Sequence, residues 1–168
     1  MFAQEPQETQ EPIVKAPNLE AEHWLNVRDQ VFGDLTGKVV AVNFWSFADH
    51  HSQSMLRHLS ILNRAYKSAQ FQLIGVHTPE FLFESDMANV ARAVRDFRIT
   101  WPVAIDNDRQ NYTRFEVRFR PTTILIDPAG NFAGRFIGAG SFPDLARTIQ
   151  RLLPGRTVDR KLAELVLN

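Results

Sequence analysis

Four consecutive residues, Asp49-His50-His51-Ser52, place a carboxylate, two imidazoles and a hydroxyl shortly after a strongly apolar run. Imidazoles and carboxylates are common ligands of divalent metal ions. His77 follows a second apolar run, which should lie beside the first in a sheet. Asp49, His50, His51 and His77 are therefore candidate ligands of a divalent metal. The spacing matches no standard metal motif, and in the alternative interpretation Asp49 caps a helix and the histidines are exposed.

Ser52 adds a further possibility for the same segment. With His77 and Asp49 it would supply the nucleophile, the base and the orienting carboxylate of a hydrolase. The sequence contains no Gly-x-Ser-x-Gly nucleophile elbow and no identifiable oxyanion loop. We therefore rank a hydrolase below the metal site.

The elements that must position these residues alternate between strands and helices. The run Val39–Trp45 is almost continuously apolar, which is typical of a strand buried on both faces. Apolar residues at helical spacing then predict a helix over 50–66. Further patterns predict short strands at 24–27 and 30–32, strands at 71–76, 103–105, 122–126 and 132–137, and helices at 86–97, 107–115, 142–153 and 158–167. This order predicts a central sheet with helices on both faces.

The composition excludes several functions. The chain has 168 residues and no cysteine, so a disulfide scaffold, a zinc–thiolate site, a thiol peroxidase and a dithiol reductase are excluded for this chain alone. Its 19 basic and 19 acidic residues balance, which argues against binding to nucleic acid or to a membrane surface. No apolar run approaches the roughly 20 residues of a membrane span.

The first 22 residues are rich in Glu, Gln and Pro. This composition predicts a flexible acidic tail or linker over 1–22, followed by a domain over 23–168 with an extra C-terminal helix. The opening Met1-Phe2-Ala3-Gln4 resembles the end of an Ala-x-Ala-like cleavage site behind an added start methionine. We therefore expect an extracytoplasmic or periplasmic location.

Four segments carry a resemblance to a known family. They are GKVVAVNFW at 37–45, GVHTPEF at 75–81, ITWPVAIDND at 99–108 and RPTTILIDPAGN at 120–131. In this order and at this spacing they resemble the thioredoxin superfamily, in particular its TlpA/ResA-like and DipZ C-terminal branch, which overlaps the AhpC/TSA type. The resemblance covers about residues 24–153. It implies a thioredoxin-like three-layer α/β/α sandwich with a central mixed sheet.

The resemblance also gives roles to residues of the site. The family places its Cys-x-x-Cys where this chain has Asp49-His50-His51-Ser52, so an aspartate and a serine replace the two cysteines. Pro121 matches the cis-proline of the family, and we expect a cis bond between Arg120 and Pro121. We also expect Arg120 to contact Asp49. Glu80 falls near the position of an acidic residue that ResA-like reductases keep beside their cysteines.

These observations together predict a redox-inactive, thioredoxin-like module that binds a protein or peptide, and they favour a binding role over an enzymatic one. The residues expected to form its groove are Trp45, Phe47, Asp49, His50, His51, Trp101, Arg120 and Pro121. Two alternatives stay open: an oxidoreductase-related protein that acts only with a cysteine-bearing partner, and a metal-dependent activity at the Asp-His-His-Ser loop. Apart from that metal we expect no cofactor. The sequence names neither the partner nor the oligomeric state.

Overall fold

The structure, a computed structural model, describes residues 12–27, 35–66 and 70–153. Its strands are β1 (Trp24–Leu25), β2 (Val39–Trp45), β3 (Phe71–His77), β4 (Val103–Ile105), β5 (Thr122–Ile126) and β6 (Phe132–Ile137). Its helices are α1 (His50–Ala65), α2 (Met87–Asp96), α3 (Gln110–Arg114) and α4 (Phe142–Leu152), with 3₁₀ turns at Leu82–Ser85 and Ala139–Ser141. The predicted strand at 30–32 and the predicted helix at 158–167 lie outside the described residues.

The strands form one mixed sheet in the order β1-β4-β3-β2-β5-β6. Strands β2, β3 and β4 are parallel, and the remaining neighbours pair antiparallel. Trp45 at the end of β2 lies opposite His77 at the end of β3, and Thr122 at the start of β5 lies opposite Phe44. The loops after β2, after β3 and before β5 therefore meet at one edge of the sheet.

Both faces of the sheet are covered. On one face, buried residues of α1, α2 and α4, such as Leu59, Val94 and Ile149, pack in a single cluster with the sheet. On the other face, Phe115 after α3 packs against Phe44, together with irregular residues before β2. The second layer is thin because α3 has only five residues. The arrangement is the expected α/β/α sandwich.

Residues 12–22, which the composition assigns to a tail, lie against the domain. Lys15 forms an antiparallel bridge with Asn131 on the outer side of β6. The backbone N–H of Glu20 donates to the side chain of Asn111 in α3 at 3.1 Å, and the Asn111 amide donates back to the Glu20 carbonyl. This polar stretch is ordered because its backbone groups find partners on the sheet edge and on α3.

Candidate functional site at the edge of the sheet

Asp49 begins α1 and holds its first turn. The carboxylate accepts hydrogen bonds from the backbone N–H of His51 at 3.2 Å and of Ser52 at 2.8 Å. It also accepts one from the Ser52 hydroxyl at 2.6 Å. These contacts satisfy N–H groups that have no partner within the helix. The predicted N-cap role of Asp49 is confirmed.

The Ser52 hydroxyl is fully buried and has partners on both sides. It donates to Asp49, and it accepts a hydrogen bond from the backbone N–H of Ser46 at 3.3 Å. The imidazole of His77 is engaged elsewhere, because its Nε2 accepts a hydrogen bond from the backbone N–H of Phe47 at 3.3 Å. Because the serine donates directly to the aspartate, the order serine, histidine, aspartate that a hydrolase needs is not formed here.

The four candidate metal ligands lie in different surroundings. His50 and His51 are exposed, with ring centroids 6.4 Å apart, whereas His77 is completely buried. Across residues 12–27, 35–66 and 70–153, no group of three or more His, Cys, Asp or Glu side chains is placed to hold a metal ion. The structure does not bring the predicted ligand set together.

Arg120 and Pro121 stand before β5 at the same edge, and the peptide bond between them is cis. The Arg120 guanidinium donates to the Thr78 carbonyl at 3.2 Å and to the Glu80 carboxylate at 3.2 Å. The expected Asp49–Arg120 contact was wrong, because the Asp49 carboxylate faces the first turn of α1 and Arg120 reaches the segment after β3 instead. Glu80 is thus the partner of Arg120 at a half-exposed position.

Glu84 is the residue of this site that the sequence reasoning missed. Its side chain is completely buried. One carboxylate oxygen accepts from the hydroxyl of Ser46 and the N–H of Ala48, and the other accepts from the N–H groups of Glu80 and Phe81 at 2.9 and 3.0 Å. This one carboxylate therefore ties the loop after β2 to the segment after β3.

The charge of Glu84 is favoured by these donors. Burial alone would raise the pKa of Glu84, but the hydrogen bonds from the Ser46 hydroxyl and from the backbone N–H groups of Phe81 and Glu80 outweigh it and hold that pKa well below its usual range. His77 Nε2 lies 3.6 Å from the carboxylate and accepts a hydrogen bond from the backbone N–H of Phe47, so the donors that stabilise the charge of Glu84 are the four shorter contacts. The sequence carries no capping-box signal for Glu84, because the residue three positions before it is Phe81, whose side chain has no hydrogen-bond acceptor.

The two tryptophans assigned to the groove belong to the core. Trp45 is 0% exposed and Trp101 is 2% exposed. Their indole nitrogens converge on Gly75, where an added Cβ would lie 3.1 Å from Trp45 Nε1 and 3.3 Å from Trp101 Nε1. Their assignment to a surface groove is therefore corrected, and the absence of a side chain at Gly75 leaves room for both rings.

A different set of apolar side chains is exposed at this edge. Phe81, Leu82 and Phe83 are 52%, 91% and 54% exposed. Phe81 stacks on Phe83 at 5.6 Å between ring centroids, and Phe83 contacts Phe47 at 5.9 Å. We call Phe47, Phe81, Leu82 and Phe83 the aromatic surface. It borders the Asp-His-His-Ser loop, and buried Glu84 lies beneath it.

The fold and this site define a thioredoxin-like domain, with Asp49 and Ser52 in the first turn of α1, where the resemblance leads us to expect the dithiol of the family. The family model of the AhpC/TSA family matches residues 13–134, and the chain belongs to that family. It is a TlpA/ResA-like domain of the thioredoxin superfamily without the Cys-x-x-Cys.

Known proteins that resemble the chain include Protein DipZ of Mycobacterium bovis, 33% identical over 133 residues that cover 77% of this chain and 19% of DipZ. The thiol-disulfide oxidoreductase ResA of Bacillus subtilis is 27% identical over 84% of this chain and 76% of its own. A crystal structure of a thioredoxin-like superfamily protein superposes with a TM-score of 0.77 at 23% identity, covering 86% of this chain and 99% of the other. The chain spans about a fifth of the length of DipZ. Among the helices in the described ranges, none is long and apolar enough to cross a membrane.

Proposed function

We propose that the protein is a redox-inactive thioredoxin-like module that binds a segment of a protein or peptide at the edge of the sheet beside Pro121. The observation that carries the proposal is the aromatic surface, which is exposed next to a site whose two reactive positions hold Asp49 and Ser52. Thiol–disulfide exchange needs a thiolate, and neither residue supplies one. Binding requires only the surface.

The energetics of the aromatic surface support a binding role. Large apolar side chains exposed side by side cost free energy in water and commonly mark an interaction site. Phe and similar side chains contribute strongly when a partner covers them. The four hydrogen bonds to Glu84 hold the backbone on both sides of the surface. A surface fixed before binding loses less conformational entropy when a partner arrives.

The test is a selection of peptides from a displayed random library on the full chain, followed by fluorescence-polarisation titrations of the enriched peptides. We expect Phe83→Ala to weaken binding about 30-fold, the loss that corresponds to about 2 kcal/mol at an interface hot spot. The matched control is Phe97→Ala, which removes another partly exposed phenylalanine at the far end of α2. A library that yields no binder, or binders that Phe83→Ala and Phe81→Ala leave unaffected, contradicts the proposal.

A second candidate follows from the relatives. ResA is named a thiol-disulfide oxidoreductase. By analogy, the aromatic surface of this chain would bind a protein partner that supplies the cysteines for the reaction. We also propose an extracytoplasmic location, since thiol–disulfide proteins act where disulfides persist. Peptide selection separates the candidates: binders enriched in cysteine, lost when that cysteine is replaced by serine, favour the second.

A further inference from the structure

The outer edge of β6 ends the sheet. β6 is the last strand of the sheet, and its inner side pairs with β5. Just after β6, the N–H of Gly138 donates to the Pro121 carbonyl at 2.8 Å. Because every second residue of an antiparallel strand bonds to the same neighbour, the backbone N–H and C=O groups of Arg135 and Ile137 face away from β5. In the described part of the chain, no backbone group bonds to them there.

Residues near the N-terminus cover only the beginning of this edge. The N–H of Phe132 donates to the Val14 carbonyl at 2.8 Å, and Lys15 lies opposite Asn131 in antiparallel direction. The two described residues before Val14 form no pairing with β6. Among the described residues, the backbone of 134–137 is therefore without a partner on its outer side, and we call this section the free edge.

A positively charged cavity opens beside the free edge. Its volume is about 230 Å³, and it is lined by Arg118, Arg135, Phe119 and Ile137 together with Glu116 and Thr122. The side chain of Arg118 is exposed and forms no hydrogen bond or ion pair with a described residue. Two guanidinium groups and one carboxylate line the cavity, so its net charge is positive. Phe119 and Ile137, which are 63% and 52% exposed, supply apolar walls.

The guanidinium of Arg135 is held in place by the end of α3. It donates to the carbonyls of Phe115 and Glu116, each at 3.0 Å. A guanidinium has five N–H donors, so others remain for a ligand after these two bonds. Arg135 stands opposite Ile124 in the pairing of β5 with β6, so its side chain lies on the face of the sheet that carries Ile124. In a strand added beside β6, the residues opposite Arg135 and Ile137 point to that same face, towards the cavity.

We propose that the free edge binds an extended acidic peptide, which adds an antiparallel strand to the sheet and places carboxylates at alternate positions beside Arg135 and Arg118. Main-chain hydrogen bonds to Arg135 and Ile137 provide affinity, and the cavity selects for glutamate or aspartate. A second copy of the chain is disfavoured as the occupant. A symmetric pairing centred on Arg135 sets this residue opposite its own copy, and like charges directly opposite each other destabilise a strand pair. The site shares no residue with the aromatic surface, so the inference is independent of the peptide binding proposed above.

The test is an NMR titration of the isotope-labelled full chain with a short, terminally blocked peptide in which glutamate alternates with valine. We expect the backbone amide signals of Arg135 and Ile137 to shift on binding, with a Kd below about 1 mM. The matched peptide with lysine in place of glutamate should not bind. Methylation of the backbone nitrogens of the glutamates should abolish binding, whereas methylation of those of the valines should preserve it. The reason is that only the residues opposite Arg135 and Ile137 turn their N–H groups towards β6.

Variants of the chain separate the cavity from other surfaces. Arg118→Gln should weaken binding about fivefold, which corresponds to the loss of about 1 kcal/mol from one cross-strand charge pair. The matched control Arg57→Gln removes an exposed arginine of α1 and should leave the Kd unchanged. Phe83→Ala, in the aromatic surface, should leave it unchanged as well.

Several outcomes overturn the proposal. If the glutamate peptide shifts neither amide at about 1 mM, the arginines only keep the edge from pairing with other strands. Equal binding of the lysine peptide would refute the role of the positive cavity. Signals of β6 that shift with protein concentration in the absence of peptide would assign the edge to a second copy. Loss of binding in Phe83→Ala would move the peptide to the aromatic surface and leave the free edge without a ligand.

Discussion

Replacing Glu84 with glutamine tests whether one buried carboxylate organises the whole edge of the sheet. The substitution keeps the size of the side chain and removes its charge. Glutamine retains one oxygen as an acceptor and presents an NH₂ group where the second oxygen stood. Of the four donors that now point at Glu84, two would then face another donor.

The expected loss follows from these contacts. A hydrogen bond to a charged group contributes about 1.5–3 kcal/mol net, and a buried donor left unpaired costs about 1–3 kcal/mol. Two lost bonds and two weakened ones predict that Glu84→Gln lowers the free energy of unfolding by about 3–5 kcal/mol at pH 7. For a domain of this size the melting temperature should fall by about 6–20 °C.

The assay is urea unfolding followed by tryptophan fluorescence, because Trp45 and Trp101 are buried in the native state. The control is Glu80→Gln, which removes the carboxylate that pairs with Arg120 at a half-exposed position. Surface ion pairs of this kind contribute at most about 1 kcal/mol. If Glu84→Gln were no more destabilising than Glu80→Gln, the idea that Glu84 braces the two loops would be refuted.

Acidification gives the same prediction a second readout. Hydrogen bonding places the pKa of Glu84 in the folded protein below its ordinary value, so on acidification the unfolded chain takes up the proton first. The stabilisation from the charge is complete above the unfolded pKa of about 4.3 and is lost as pH falls towards the folded pKa. The stability difference between wild type and Glu84→Gln should therefore shrink below about pH 4. A constant difference between pH 7 and pH 3 would show that the charge is not responsible.

Three further changes test other parts of the site. Asp49→Ala removes the N-cap of α1 and should cost about 1–2 kcal/mol in urea unfolding; a change of zero would show that the cap is not needed. The double change Asp49→Cys and Ser52→Cys should form a disulfide that dithiothreitol reduces. After reduction, the thiol at position 49 should react with iodoacetamide below pH 8, because it stands at a helix N-terminus. Reactivity like that of a free peptide thiol would contradict this. Gly75→Ala would put a Cβ at 3.1 Å from Trp45 Nε1 and 3.3 Å from Trp101 Nε1, and should cost about 1–3 kcal/mol with a shift in tryptophan emission, whereas unchanged emission and stability would mean that the rings yield freely.

The strands and long helices followed from local patterns. The apolar run of β2 indicated burial on both faces of a sheet, and the helical spacing of apolar residues indicated α1. The mixed character of the sheet followed from the resemblance, and the placing of helices on both of its faces followed from the alternation of elements. The ordering of residues 12–22 was not foreseen, because a polar composition shows that a segment cannot build a core but not that its backbone lacks a sheet edge to pair with.

The contacts of the site were harder to predict because they depend on which way side chains turn at the ends of strands. Topology brings Asp49, Arg120 and Glu80 to one edge, and it does not decide which carboxylate meets the guanidinium. Asp49 faces the N–H groups of α1, so Arg120 pairs with Glu80. Glu84 sits among phenylalanines in the sequence, and only its fully buried position shows that its charge faces inward.

Asp49 and Ser52, at the positions where the resemblance leads us to expect the two cysteines of the family, keep one property of a dithiol. In a Cys-x-x-Cys pair, the first and fourth positions can be joined by a covalent bond, and reduction opens it. Here the same two positions are joined by the 2.6 Å hydrogen bond from the Ser52 hydroxyl to the Asp49 carboxylate. That bond is charge-assisted and accordingly strong, and no oxidant or reductant changes it. The beginning of α1 is therefore held in one state, which is compatible with the proposed binding role, whereas a redox enzyme needs two.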